Sequence, residues 1–176
     1  GPEFGLLADC DFILANALWG YALALVEWGK FARALPLLME SREIFRRRAS
    51  QYEMAESSGT LGLIALLQGD LAGAHAYLEE AVTLAATFDY QEMLGLWQPL
   101  LGLVTLYEGN VQEARRLLNA SLRLCLERND KRLLVRIHTY LAEAALWEGK
   151  LEQAEQSLRE SLANDTTAQS YLFYDL

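Results

Sequence analysis

Groups able to do acid–base, nucleophilic or metal chemistry are scarce in this chain, and their spacing fits no catalytic pattern. There are two histidines, His75 and His138, and neither has a carboxylate or nucleophile at a spacing that would make it a general base or a ligand. Both read as surface or packing residues. Cys10 and Cys125 lie more than a hundred residues apart in helical stretches. Without metal-ligand or redox spacing they read as buried, reduced thiols. Glu79-Glu80 and the acids from Glu152 to Glu160 are spaced for i,i+4 pairs with Arg and Lys on solvated helix faces. The glycines are isolated helix breaks, not a loop that cradles phosphate. The expectation is a non-enzyme with no catalytic residue, no cofactor and no metal. One charge cluster stands out, Arg42 with Arg46, Arg47 and Arg48. It either decorates the C-terminal part of a helix, where cations are favoured, or docks on an acidic partner surface or adjacent domain.

The charge balance narrows the partners. The 176 residues carry a formal net charge of −9 and a pI near 4.7. A groove for phosphates needs clustered Lys and Arg, so direct nucleic-acid binding is not expected, and neither are anionic membranes or strongly acidic peptides. No apolar run approaches the ~18 residues needed to span a bilayer, and no signal peptide is visible, which makes cytoplasmic the default location. Gly1-Pro2-Glu3-Phe4, without an initiator Met, reads as a cleavage and cloning remnant on a piece of a longer protein. A hydrophobic content of 52% is ample for a core, and abundant Leu, Ala and Glu with three prolines point to an all-α chain.

The residues are organised by a forty-residue beat. Gly29, Gly69, Gly109 and Gly149 recur at that interval, each followed five residues later by Ala34, Ala74, Ala114 or Ala154 and then by Leu38, Leu78, Leu118 or Leu158. Each unit reads as helix A, a turn holding the glycine, and helix B. In the second unit helix B is expected from Leu71 to about Thr87, with Leu71, Ala74, Leu78, Ala81, Val82 and Ala85 at helical spacing. The glycine is expected to end helix A in a left-handed conformation. The small residue seven before it (Ala22, Gly62, Gly102, Ala142) lets helix A approach helix B closely, and the alanine five after it does the same from helix B. Phe88-Asp89 and Asn129-Asp130 mark loops between units.

These columns resemble the tetratricopeptide repeat (TPR). The family's small-residue positions map onto Gly62, Ala74 and Ala81, and onto Gly102, Ala114 and Ser121, while its large residue opening helix B is Phe31, Leu71, Val111 or Leu151. Its early tryptophan is replaced by Leu18, Ser58, Gln98 and His138, and the proline that ends the common unit of about 34 residues is missing. The resemblance spans roughly residues 12–163. It implies a right-handed TPR-type α-solenoid of four helix-turn-helix repeats, 5–50, 51–89, 90–129 and 130–165. A truncated fifth first helix would start in 166–176, so the natural array is expected to continue. Forty-residue units with Gly-Asp, Gly-Asn or Gly-Lys turns look like the sensor arrays of bacterial LuxR-type activators and signal-transduction ATPases, of the maltose-operon-activator kind. They also look like animal polarity and motor adaptors, and Trp147-Glu148-Gly149-Lys150-Leu151-Glu152-Gln153-Ala154 is closer in style to the bacterial group.

In that family the concave groove is lined by helix A. Matching positions gives Asn16, Trp19, Leu23, Val26 and Glu27; then Leu63, Leu66 and Leu67; then Leu96, Leu103, Leu106 and Tyr107; then Arg136, Thr139, Glu143, Leu146 and Trp147. The cations that clamp a peptide carboxylate in chaperone-binding members are almost all missing. What remains is a leucine floor rimmed by Trp19, Tyr107 and Trp147, which is either a binding surface or additional core. Trp28 and Trp97 have no evident place, and Pro99 is expected to kink the third helix A. The functional expectation is a non-catalytic interaction or ligand-sensing domain that takes a protein segment, peptide or apolar small ligand on this face. The alternatives are an adaptor binding an extended peptide, or a structural spacer that forms homo-oligomers through its apolar terminal helices.

Overall fold

A computed structural model of the chain describes residues 2–164, with side chains from Cys10 onward. Residues 166–176, where a fifth helix A was expected to start, lie outside the described residues. Eight helices follow one another: α1 (Pro2–Glu27), α2 (Phe31–Arg47), α3 (Gln51–Leu67), α4 (Leu71–Thr87), α5 (Gln91–Tyr107), α6 (Val111–Arg128), α7 (Lys131–Trp147) and α8 (Leu151–Asn164). No strand occurs among the described residues. Helix B of the second unit, α4, has the expected limits. Pro2, Glu3 and Phe4, set aside as a remnant in the sequence, are continuous with the backbone of α1.

The turns follow from backbone geometry. At the end of α3, Gly69 adopts φ 77°, where a side chain would cost about 1–2 kcal/mol. Its N–H donates to Leu66 O at 3.0 Å and that of Asp70 to Ala65 O at 2.9 Å, the paired bonds that close a helix through a left-handed residue. Gly29, Gly109 and Gly149 sit at φ 67°, 88° and 72° with the same two bonds. Asp70 and Asn110 then cap α4 and α6 by accepting from the N–H of Gly73 and Glu113, whereas Lys30 caps α2 without a side-chain bond. A second left-handed column, invisible as a glycine pattern, lies in the turns between hairpins. There Ala49, Asp89 and Asn129 have φ 52°, 57° and 54°. Asp and Asn tolerate this conformation, but Ala49 is strained in it.

The chain forms two compact units, Gly1–Trp97 and Gln98–Leu176. In the first, α1 packs on α2, α2 on α3 and α3 on α4. Its core joins Ala22, Leu25, Ala34, Leu38, Leu61 and Ile64 with a neighbouring cluster of Ala15, Ile44, Phe45 and Met54. In the second, α6 packs on α7 and α7 on α8, around Leu118, Cys125, Leu134, Ile137 and Leu141. The small columns do what their size suggests. A Cβ on Gly62 would lie 2.6 Å from Leu78 Cγ, and one on Gly102 would lie 3.0 Å from Leu118. Ala34, Ala74 and Ala114 are fully buried.

Two expectations change, those for Cys10 and for the apolar run of α1. Cys125 is buried, but Cys10 is exposed. Pro99 is buried inside α5, whose helical span runs through it to Tyr107, and the kink remains an expectation. In α1 the 18-residue window Cys10–Glu27 is long and apolar enough to cross a membrane by length and composition. Asp11, Asn16 and Glu27 are the polar residues within that window. Trp97, unplaced from sequence, is buried with its indole where a Cβ at Gly59 would have to sit.

Gly59→Ala should therefore destabilise at or beyond the upper end of the roughly 1–3 kcal/mol typical of overpacking. Gly102→Ala should cost less, since the Leu118 side chain can yield; urea denaturation midpoints rank the two. Ala49→Gly should raise stability by up to about 1 kcal/mol through relief of the left-handed strain, read as an increase in the same midpoint without a change in slope.

Candidate functional site

The groove residues divide by depth. In the first unit Trp19, Leu23, Val26, Leu63 and Leu66 are half-buried and Leu67 is exposed. Trp19 and Val26 pack against the cluster of Ala22, Leu25, Leu38 and Leu61, and the Trp19 indole N–H is buried without a hydrogen-bond partner. In the second unit Leu103 is buried and Leu106 is 0% exposed. These two leucines are core, so the notion of an open floor running along them is corrected. Helix A is apolar around most of its circumference there, as Leu100, Leu101 and Val104 are buried too.

What the second unit does expose is the end of each helix A. Tyr107 and Trp147 lie with ring centroids 6.3 Å apart and planes tilted by 34°. Trp147 is 51% exposed and Leu146 beside it equally so. Burial first, and then the neighbouring Glu143 carboxylate, push the Tyr107 pKa up to about 12. Glu143 is half-buried on α7 one turn before Trp147, and Arg136 is half-buried further back on the same helix. The structure thus brings Tyr107, Glu143 and Trp147 together with Leu146 at the C-terminal ends of α5 and α7. An apolar shelf with a fixed phenol–carboxylate pair at its edge is suited to holding an apolar segment and orienting one polar group. It offers no nucleophile.

The charged residues singled out from sequence are occupied internally. Arg42 Nη2 lies 2.5 Å from Glu80 Oε2, Arg42 Nε donates to Ser58 Oγ at 3.2 Å, and that hydroxyl donates to Glu80 at 2.8 Å. Arg42 also stacks over the Tyr77 ring. Arg46 pairs with Glu43 at 2.8 Å, and Arg48 sits over Phe12. The cluster is therefore a set of intramolecular contacts, with Arg42 joining α2, α3 and α4. In the second unit Arg115 on α6 meets Glu148 at 2.5 Å, and Lys150 meets the same carboxylate at 3.2 Å. Among the described residues no group of three or more His, Cys, Asp or Glu is arranged to hold a metal ion.

Two polar features of the helix-A columns were missed. Glu56 shares its column with Asn16, Leu96 and Arg136, and burial together with Glu53 holds its carboxyl above the usual range. Tyr52, one turn earlier, packs edge-on against Tyr90 at 5.2 Å. The forty-residue register carries the signal for Glu56, which falls in the column of Asn16 and Arg136. The thiol of Cys125 donates to Asp130 O at 3.0 Å, and burial pushes its pKa up to about 11, which makes it an unreactive packing group.

The chain matches no protein-family model and no curated protein.

His138 supplies a pH readout. Its half-buried imidazole has a pKa lowered from 6.5 by desolvation, with the Glu160 charge acting in the opposite direction. The folded state thus binds this proton more weakly than the unfolded chain. Its contribution to stability is complete above the unfolded value and is lost as pH falls toward the folded one. The denaturation midpoint should drop as the pH falls through and below about 6.5, and His138→Gln should flatten that drop.

Proposed function

We propose that the chain is a TPR-type repeat domain, a right-handed superhelix of four hairpins spanning 5–50, 51–89, 90–129 and 130–165, and that it works by binding rather than by catalysis. The partner is an apolar protein segment received at the helix-A ends, with Tyr107, Leu146 and Trp147 as contact surface and Glu143 as the polar anchor in the second unit. Leu67 and the half-buried Trp19, Leu23, Val26, Leu63 and Leu66 are the corresponding surface in the first.

The observation carrying this reading is the exposed Tyr107–Trp147 pair with the Glu143 carboxylate beside the phenol. Aromatic side chains with a polar handle are favoured where a surface must give up water to a partner. The turn geometry and the close-approach columns support the TPR comparison, since both recur in every hairpin. By resemblance, the domain is the sensor or scaffold part of a cytoplasmic bacterial regulator.

An array of twelve-residue peptides of apolar, basic and acidic composition, probed with the full chain, tests the site. Peptides rich in Leu and aromatic residues should be retained, and Trp147→Ala and Leu146→Glu should each weaken binding about tenfold or more with little loss of helicity. Binding that ignores composition, or that survives both substitutions, would overturn the assignment.

A further inference from the structure

In the second unit a half-open cavity of about 190 Å³ lies between α6 and α8. Arg115 and Asn119 of α6 line one side and Gln153 and Ser157 of α8 the other, with Leu141 and Ala145 of α7 between them. Two repeats earlier the same columns hold Leu35 and Met39 on α2, Gly73 and Tyr77 on α4, and Leu61 and Ala65 on α3. There the groove is filled from within. The half-buried Tyr77 ring packs on the cluster that holds Leu38 and Leu61, and its hydroxyl donates to Met39 Sδ at 3.9 Å. The Arg42 guanidinium lies over its face. Ser157 stands in the Tyr77 column, so the second unit has a cavity over the buried Leu141 and Ala145 where the first has a ring.

We infer that this cavity binds a phenol ring supplied by a ligand or partner. The size fits, since a cavity of about 150 Å³ is enough for benzene. The lining suits the same ring arriving from outside. Met39 is replaced by Asn119 and Gly73 by Gln153, so the side reached by the Tyr77 hydroxyl gains amides that can both donate to and accept from a hydroxyl. Leu141 and Ala145 keep an apolar floor for the ring face. Leu35 is replaced by Arg115, a guanidinium able to stack on a ring as Arg42 does on Tyr77. The Arg115 charge is met by Glu148, and its Nη2 donates to Gln153 at 3.3 Å. The cavity therefore offers no uncompensated cation, which favours a neutral ring over a carboxylate or phosphate. None of its lining residues belongs to the Tyr107–Trp147 shelf. The ring can come as a free phenol or as a tyrosine side chain of a partner.

Calorimetric titration of the full chain with p-cresol tests it. The Kd should be about 1 mM or tighter, and backbone amide shifts should move around Arg115, Asn119 and Ser157. Ser157→Tyr, which restores the ring of the first unit, should raise the urea midpoint and weaken p-cresol binding tenfold or more. If that variant loses helicity by circular dichroism, Ser157→Leu replaces it as a smaller plug. Asn119→Leu should weaken p-cresol about threefold or more and leave toluene binding unchanged. N-acetyltyrosine amide separates the two sources. Binding as tight as that of p-cresol assigns a tyrosine of a partner, and binding of p-cresol alone assigns a free phenol; either supports the site. The proposal is overturned if p-cresol at about 5 mM does not bind, if the shifts centre on Tyr107 and Trp147, or if the plugged chain binds as the unaltered one does. It is equally overturned if Asn119→Leu leaves p-cresol binding unchanged.

Discussion

Within each hairpin the two helices are joined by three residues, so their axes must come close almost immediately, and whatever lies at the point of approach has to be small. Gly62 against Leu78 and Gly102 against Leu118 show how little room there is. The left-handed glycine two residues before helix B reverses the chain within that distance. Once the approach is set, the larger residues have one place to go. Leu38, Leu78 and Leu118 are fully buried, and α3 settles on Leu38 and α7 on Leu118. Removing the small column would therefore disturb the hairpin and the stacking together.

Polar groups follow the same economy. Where the TPR pattern carries a tryptophan early in helix A, this chain holds Leu18, Ser58, Gln98 and His138. Ser58 finds Arg42 and Glu80, and Gln98 donates to the Leu117 carbonyl at 3.2 Å. Buried hydroxyls farther along do similar work, with Ser41 donating to Ala15 O and Ser161 to Val135 O. Each joins helix B to helix A of its own hairpin, which satisfies groups that would otherwise cost about 1–3 kcal/mol apiece.

The scaffold and the site were legible to different degrees. Turn glycines, close-approach residues and the limits of α4 followed from periodicity, because backbone conformation and helix contact depend on neighbours a few residues away. The site was legible only in part. Tyr107, Leu146 and Trp147 occupy exposed positions, but Leu103 and Leu106, from the same motif columns, are buried. A column assigns a residue to a side of its helix, and how deep it lies depends on what packs there. Arg42 shows the same gap, since its partners Ser58 and Glu80 sit on two other helices.

By itself, the sequence determined the all-helical class, the hairpin, its turns and the residues that had to be small, since each rests on local sterics or on spacing along one helix. Tertiary structure decided which leucines became core, that Cys10 stayed exposed, and how Trp97 found its space against Gly59. It also brought Tyr107 from α5 to Glu143 and Trp147 on α7. Those outcomes depend on contacts between segments far apart in the chain, where burial is shared among several helices and no single spacing encodes it.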